Sequence, residues 1–71
     1  RMAVKAPTTV IQNVEVNAGI GRVSISGLVE GKPVSLTFME DEVPKNVKSE
    51  GQMHDYMVRR LKEQAKQGGK V

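Results

Sequence analysis

Between Arg22 and Met39 the chain alternates apolar and polar side chains twice over, and this alternation constrains the fold more than any other feature. Val23, Ile25 and Val29 share one side of an extended segment, with Gly27 between them, opposite Arg22, Ser24 and Ser26. Val34, Leu36 and Phe38 share one side of a second segment, opposite Ser35, Thr37 and Met39. Successive side chains of a strand point to opposite faces, so a period of two predicts half-buried strands over residues 22–29 and 34–39. Glu30-Gly31-Lys32-Pro33 between them is turn chemistry. A slip of one residue would turn every apolar side chain to the wrong face. Two tight loops avoid that outcome. A loop at Gly31-Lys32 sets Val29 against Val34 and Ile25 against Phe38; a loop at Glu30-Gly31 sets Ile25 against Leu36 and Val23 against Phe38.

Upstream, residues 10–16 read as a strand of imperfect alternation, with Val10, Val14 and Val16 on one side and Ile11, Asn13 and Glu15 on the other. Asn17-Ala18-Gly19 tolerates positive φ and predicts a hairpin; a loop at Ala18-Gly19 sets Val14 against Val23. Residues 1–9 read as an extended lead-in, because Pro7 biases Ala6 away from helix. Residues 40–48 hold Pro44 and no regular period, which predicts a loop. Ser49-Glu50-Gly51-Gln52 then matches a capping box, and a helix over about 50–67 should follow, stopped by Gly68-Gly69. Met53, Met57, Val58, Leu61 and Ala65 fall within an arc of roughly 140° on its wheel, and Asp55 and Arg59 are spaced as an i, i+4 ion pair. One apolar helix stripe suits one apolar sheet face. The expected fold is α+β: a three-stranded antiparallel β-meander packed against one C-terminal α-helix, a single domain over residues 10–67 with a short tail over 68–71.

Composition says what can hold such a domain together. The chain has 71 residues, 38% of them hydrophobic, and its only aromatics are Phe38 and Tyr56. At ~25 cal/mol per Å² of buried apolar surface, a core of this size barely exceeds the conformational entropy of the chain. Small domains in that position use disulfides, metals or self-association. With no cysteine and with His54 as the single histidine, disulfides, thiolate zinc sites and multi-histidine sites are excluded, and no metal or cofactor is expected. Self-association, or docking on a partner, is the staple that is left.

Net charge is +3 with 27% charged residues of both signs, an ordinary soluble surface. No stretch approaches the ~18 apolar residues of a membrane span. Arg1 reads as an addition ahead of a natural start at Met2, and the first residues lack the apolar run of a signal peptide, so a cytoplasmic protein is expected.

The residues that bear chemistry do not assemble into a catalytic set, and no family motif is legible. Glu40-Asp41-Glu42 is a carboxylate cluster, but consecutive residues rarely converge on one ion. His54 falls within the apolar arc of the helix, with no serine or cysteine nucleophile placed beside it. Gly19-Ile20-Gly21 lacks the third glycine and the following helix of a phosphate-binding motif. Two surfaces remain. Ile11, Leu28 and Met39 fall outside the main core face and form a candidate protein interface; Glu15 is the only charge guarding the first strand, whose edge is otherwise open to pairing with a second copy. Arg59, Arg60, Lys62 and Lys66, joined by Arg22 and by Lys5 and Lys70, form a candidate nucleic-acid surface, although cations also favour a helix C-terminus. The sequence therefore points first to a small non-enzymatic protein-interaction module, an adaptor, regulator or inhibitor acting as a homodimer. Its economy suits a phage or mobile-element accessory protein. A nucleic-acid binder using the basic flank of the helix is the alternative.

Overall fold

The computed structural model describes residues 9–68. Of the expected lead-in over residues 1–9 and tail over 68–71, Thr9 belongs to the first strand and Gly68 to the helix, and the rest, with Met2, Lys5 and Lys70, lies outside the described residues. Three antiparallel strands, β1 (Thr9–Asn17), β2 (Arg22–Val29) and β3 (Lys32–Met39), form one open sheet in the order β1-β2-β3. A 3-10 turn over Glu40–Glu42 leads to the single α-helix, α1 (Glu50–Gly68), which packs on one face of the sheet. This is the α+β meander expected from the alternation.

The hairpin between β2 and β3 adopts the second of the two registers, pairing Val23 with Phe38, Ile25 with Leu36 and Gly27 with Val34. Its loop residues Glu30 and Gly31 have φ of 53° and 81°. Positive φ at both centres is the mark of a type I′ turn, whose twist matches that of the flanking strands. The first hairpin is longer than the expected Ala18-Gly19 loop. Pairing resumes only at Arg22, the Ile20 N–H donates to the Asn17 carbonyl at 3.3 Å, and Gly21 takes φ of 69°. Val14 consequently faces Ile25 and Val16 faces Val23, two residues from the expected register. A shift of two preserves the faces.

A β-bulge alters the start of β1. Ile11 faces Gly27 while Asn13 faces Ser26, so Gln12 is inserted without a partner. One extra residue inverts the phase of the strand. Ile11, expected on the outer side, therefore turns inward and packs against the core, and Val10 turns outward beside Leu28. Gly27 makes the bulge possible. A Cβ there would fall on the Val10 carbonyl oxygen and lie 3.0 Å from the Ile11 Cα. Backbone occupies the space where any other side chain would sit.

The core consists of Val23, Ile25, Phe38, Tyr56 and Leu61, with Met53, Met57, Val43 and Val47 packed at its margin. Tyr56 corrects the expected helix stripe, which omitted it. Its ring meets Phe38 edge to face, with centroids 5.5 Å apart at 86°, a favoured aromatic geometry. Its hydroxyl accepts a hydrogen bond from Arg60 Nη1 at 2.6 Å, so the burial leaves no polar atom unsatisfied. His54, expected to be partly buried, is exposed, with a side chain 60% accessible. The capping box forms as read. The Gln52 N–H donates to Ser49 Oγ at 3.1 Å, and Gln52 Oε1 accepts from the Ser49 and Lys48 amides at 3.0 and 2.7 Å. Such a cap stabilises a helix by about 1 kcal/mol. The expected Asp55–Arg59 pair does not form; among the described residues Arg60 pairs with Glu42, and the His54 ring lies 4.0 Å from the Asp55 carboxylate. Arg59 lies instead over the Tyr56 ring, 5.8 Å from its centroid.

Candidate functional site

The outer face of the sheet is mostly polar. Across the three strands the outward positions align as Val10, Leu28 and Pro33 at one end, then Asn13, Ser26 and Ser35, then Glu15, Ser24 and Thr37, and finally Asn17, Arg22 and Met39. Ser24 and Thr37 join their hydroxyls at 3.1 Å. The expected patch of Ile11, Leu28 and Met39 is therefore not one surface. Ile11 has moved to the core side, and Leu28 lies beside Pro33, six residues along β3 from Met39, or roughly 20 Å at ~3.3 Å per residue. Glu15 does lie where it was expected, facing outward on β1.

Apart from Val10 and Met39, which stand at opposite ends of this face, the apolar exposure lies elsewhere. On the helix side of β1, beyond the cover of α1, Val14 is 43% and Val16 57% exposed, and Ile20 in the following loop is 54% exposed. The same two valines stand at an open strand edge, and the hydrogen-bond phase of the sheet shows which way their backbone groups point. The Glu40 N–H donates to the Gly21 carbonyl at 2.7 Å. This bond continues the β2–β3 ladder, so the odd-numbered residues of β2 direct their backbone groups toward β3. In an antiparallel ladder these alternate with residues directed the other way. Ser24 and Ser26 therefore bond to Glu15 and Asn13 of β1, which leaves the N–H and C=O groups of Val14 and Val16 pointing off the free edge.

The opposite edge is blocked at its two ends, while Ser35 and Thr37 between them also direct backbone groups outward. In the same phase, Pro33 and Met39 are outward-directed positions of β3. Pro33 has no N–H to offer, and the Met39 N–H is already bonded to Glu42 Oε2 at 3.1 Å. Proline is one usual means of blunting a sheet edge, and charged side chains and bulges are others. β1 has no proline, and its defences are the bulge at Gln12, near its start, and one charge, Glu15, among its paired residues, so that Val14 and Val16 stay open.

The basic residues divide among several places rather than one, Arg59 lying over the Tyr56 ring. Arg60 is used internally. Its guanidinium is held between Tyr56 and Glu42 Oε1, the latter at 3.5 Å, and lies 5.2 Å from the Phe38 ring centroid. Burial works against its charge, but hydrogen bonding and electrostatic attraction from Tyr56 and then Glu42 outweigh it and raise its pKa above the ordinary value. A raised cationic pKa stabilises the fold at every pH below the unfolded value and is lost only on passing through the folded one. For an arginine that leaves no step near neutrality. Arg22 lies on the outer face, opposite to α1. Lys62 and Lys66 remain on the helix, and Lys32 of β3, which the sequence did not single out, joins them around an open cleft of about 450 Å³ also lined by Thr9, Val29, Glu30 and Ala65. Only the end of β3 approaching the last turns of α1 makes that grouping.

The remaining candidates have structural uses. Glu42 caps the Met39 amide and pairs with Arg60, and among the described residues no group of acidic, histidine or cysteine side chains is arranged to hold a metal ion. Gly19, Ile20 and Gly21 form the first hairpin loop. Among the described residues no helix is long and apolar enough to cross a membrane.

No protein-family model, curated protein or solved structure matches the chain. Its function must be read from its surfaces.

Proposed function

We propose that this chain is a non-catalytic protein-interaction module that acts as a homodimer, with the edge of β1 as its working surface. The observation that carries this reading is the coincidence at Val14 and Val16 of half-exposed apolar side chains with outward-pointing backbone donors and acceptors, whereas the open positions of the other edge, Ser35 and Thr37, are polar. A strand added there would satisfy the backbone and cover the valines together. The reading also answers the weakness of the core, since five buried apolar residues among the described residues leave a domain that gains from association. In this role the protein serves as an adaptor, regulator or inhibitor. A cytoplasmic setting suits its cysteine-free composition.

Sedimentation velocity from low to high micromolar concentration tests the reading. The unchanged chain is expected to sediment as a dimer, and the Val16→Lys variant as a folded monomer with an unaltered far-UV spectrum, because a buried lysine at the joined edge would be desolvated without a partner. A monomer for the unchanged chain at high micromolar concentration removes the homodimer.

The cleft favours a second reading, nucleic-acid binding through Lys32, Lys62 and Lys66. Among the described residues none of the three takes part in an ion pair. A gel shift at two salt concentrations separates the two readings, since phosphate contacts weaken steeply with salt. A retarded band at low salt that is lost in a Lys62→Glu, Lys66→Glu double variant supports nucleic acid, and no shift at low salt ends it.

A further inference from the structure

We infer that two copies join antiparallel through β1 with Val14 on the two-fold axis. This register rests on the homodimer reading and specifies it further. A two-fold pairing places a residue opposite its own copy, and each residue's neighbours then face their counterparts in reverse order. Hydrogen bonds across the new seam require outward-directed residues to face one another, and the phase of the sheet makes Val14 and Val16 outward-directed, with Glu15 between them. The axis therefore passes through Val14, Glu15 or Val16. Toward the start of the strand the bulge at Gln12 interrupts the ladder, so an axis through Asn13 or earlier would place it beside the centre of the seam, whereas an axis through Val14 meets it only beyond the central Val14 and Asn13–Glu15 pairs.

The three choices differ in what they bring together. An axis through Val16 runs off the strand, which ends at Asn17, and sets Val14 against Ala18 of the hairpin loop. An axis through Glu15 sets the two Glu15 carboxylates directly opposite each other on the outer face, and like charges in that position are destabilising. An axis through Val14 sets Val14 against Val14, Asn13 against Glu15 and Gln12 against Val16. Each Glu15 carboxylate then meets an Asn13 amide donor from the other copy, twice by symmetry. The Val14 and Val16 side chains of both copies lie together on the helix side, where each is about half exposed in the single chain. The product is one six-stranded sheet with both helices on the same face and the hydroxyl-bearing positions Ser24, Ser26, Ser35 and Thr37 continuous on the other.

The absence of cysteine makes disulfide trapping a direct measurement of the register, because an introduced pair is the only one that can form. Residues facing each other in a hydrogen-bonded antiparallel pair have Cα atoms ~5.5 Å apart, within the usual disulfide range of about 4.4–6.8 Å. Full-length chains carrying Val14→Cys or Val16→Cys, singly and mixed in equal amounts, are oxidised under mild conditions. Both substitutions are at exposed positions and leave Glu15 in place. The expected result is rapid covalent dimerisation of the Val14→Cys chain with itself, and little for Val16→Cys alone. Preferential linking of Val14→Cys to Val16→Cys in the mixture moves the axis to Glu15 and overturns the register. Self-linking of Val16→Cys moves it to Val16 and overturns it as well. A dimer by sedimentation that links in none of these combinations places the interface away from β1, which also overturns it, whereas a monomer by sedimentation defeats the homodimer itself. A double variant, Asn13→Lys with Glu15→Lys, provides a second check and is expected to dissociate the dimer while leaving the helix signal intact.

Discussion

Replacing Phe38 by alanine is expected to leave the domain without a cooperative fold, or to lower its melting temperature by more than about 12 °C. Phe38 is 1% exposed and joins the two layers of the protein. On the sheet it pairs with Val23; toward the helix its ring meets Tyr56 edge to face and lies beneath the Arg60 guanidinium. Truncating a buried phenylalanine costs about 3–5 kcal/mol. Here the loss extends to the aromatic pair, which contributes about 0.5–1.5 kcal/mol, and to a cation that would then face a void. A domain of this size has a total stability of only about 4–11 kcal/mol, and a small core places it toward the lower end. The substitution therefore removes an amount comparable with the whole. A thermal melt followed by far-UV circular dichroism decides the matter. A cooperative transition within about 5 °C of the unchanged protein would show that the Phe38–Tyr56 contact is not the keystone of the core. Phe38→Leu, which keeps most of the apolar volume but not the ring, is expected to fall between the two and to remain folded.

Gly27→Ala is expected to be nearly as damaging, although it adds only one methyl group. Small-to-large changes in a packed interior typically cost about 1–3 kcal/mol when neighbouring side chains can yield. At Gly27 the neighbour is the β1 backbone at the bulge, where the new Cβ would meet the Val10 carbonyl oxygen and the Ile11 Cα. Backbone in a sheet cannot step aside without breaking the ladder, so the cost should reach or exceed the upper end of that range. The bulge also provides the control. Deleting Gln12 would bring Ile11 and Asn13 into direct succession while they keep their present partners, Gly27 and Ser26. Every side chain of β1 would hold its face, and the backbone that crowds Gly27 would return to regular spacing. Gly27→Ala combined with the Gln12 deletion is therefore expected to be more stable than Gly27→Ala alone. Urea unfolding of the single and double variants measures the coupling between them. Purely additive effects would show that the clash at Gly27 does not arise from the bulge.

The three strands, the presence of a hairpin after each of the first two, the capped helix and their layering were determined by the sequence alone, because each depends on local rules that acted together, whereas the length of the first hairpin and the choice between two registers for the second were not. The alternation of Val23, Ile25, Val34, Leu36 and Phe38 set two strands and one buried face, Glu30-Gly31 suited the turn they needed, and Ser49 with Gln52 marked the helix start. Only the tertiary structure decided the phase of β1, the use of Tyr56 and the grouping of the basic residues. The lone glycine at position 27 was a signal of close backbone approach, but no local rule says which strand approaches it or where the extra residue falls. Tyr56 joined the core because Arg60 and Phe38 were there to receive it, and Lys32 met Lys62 and Lys66 because a strand end happened to pass the last turns of the helix. The candidate interface shared that dependence. A pattern of polar and apolar residues states which side of a strand is buried, whereas the direction of a backbone amide at an edge is set by pairing with the strand beside it, and that pairing exists only once the sheet has formed.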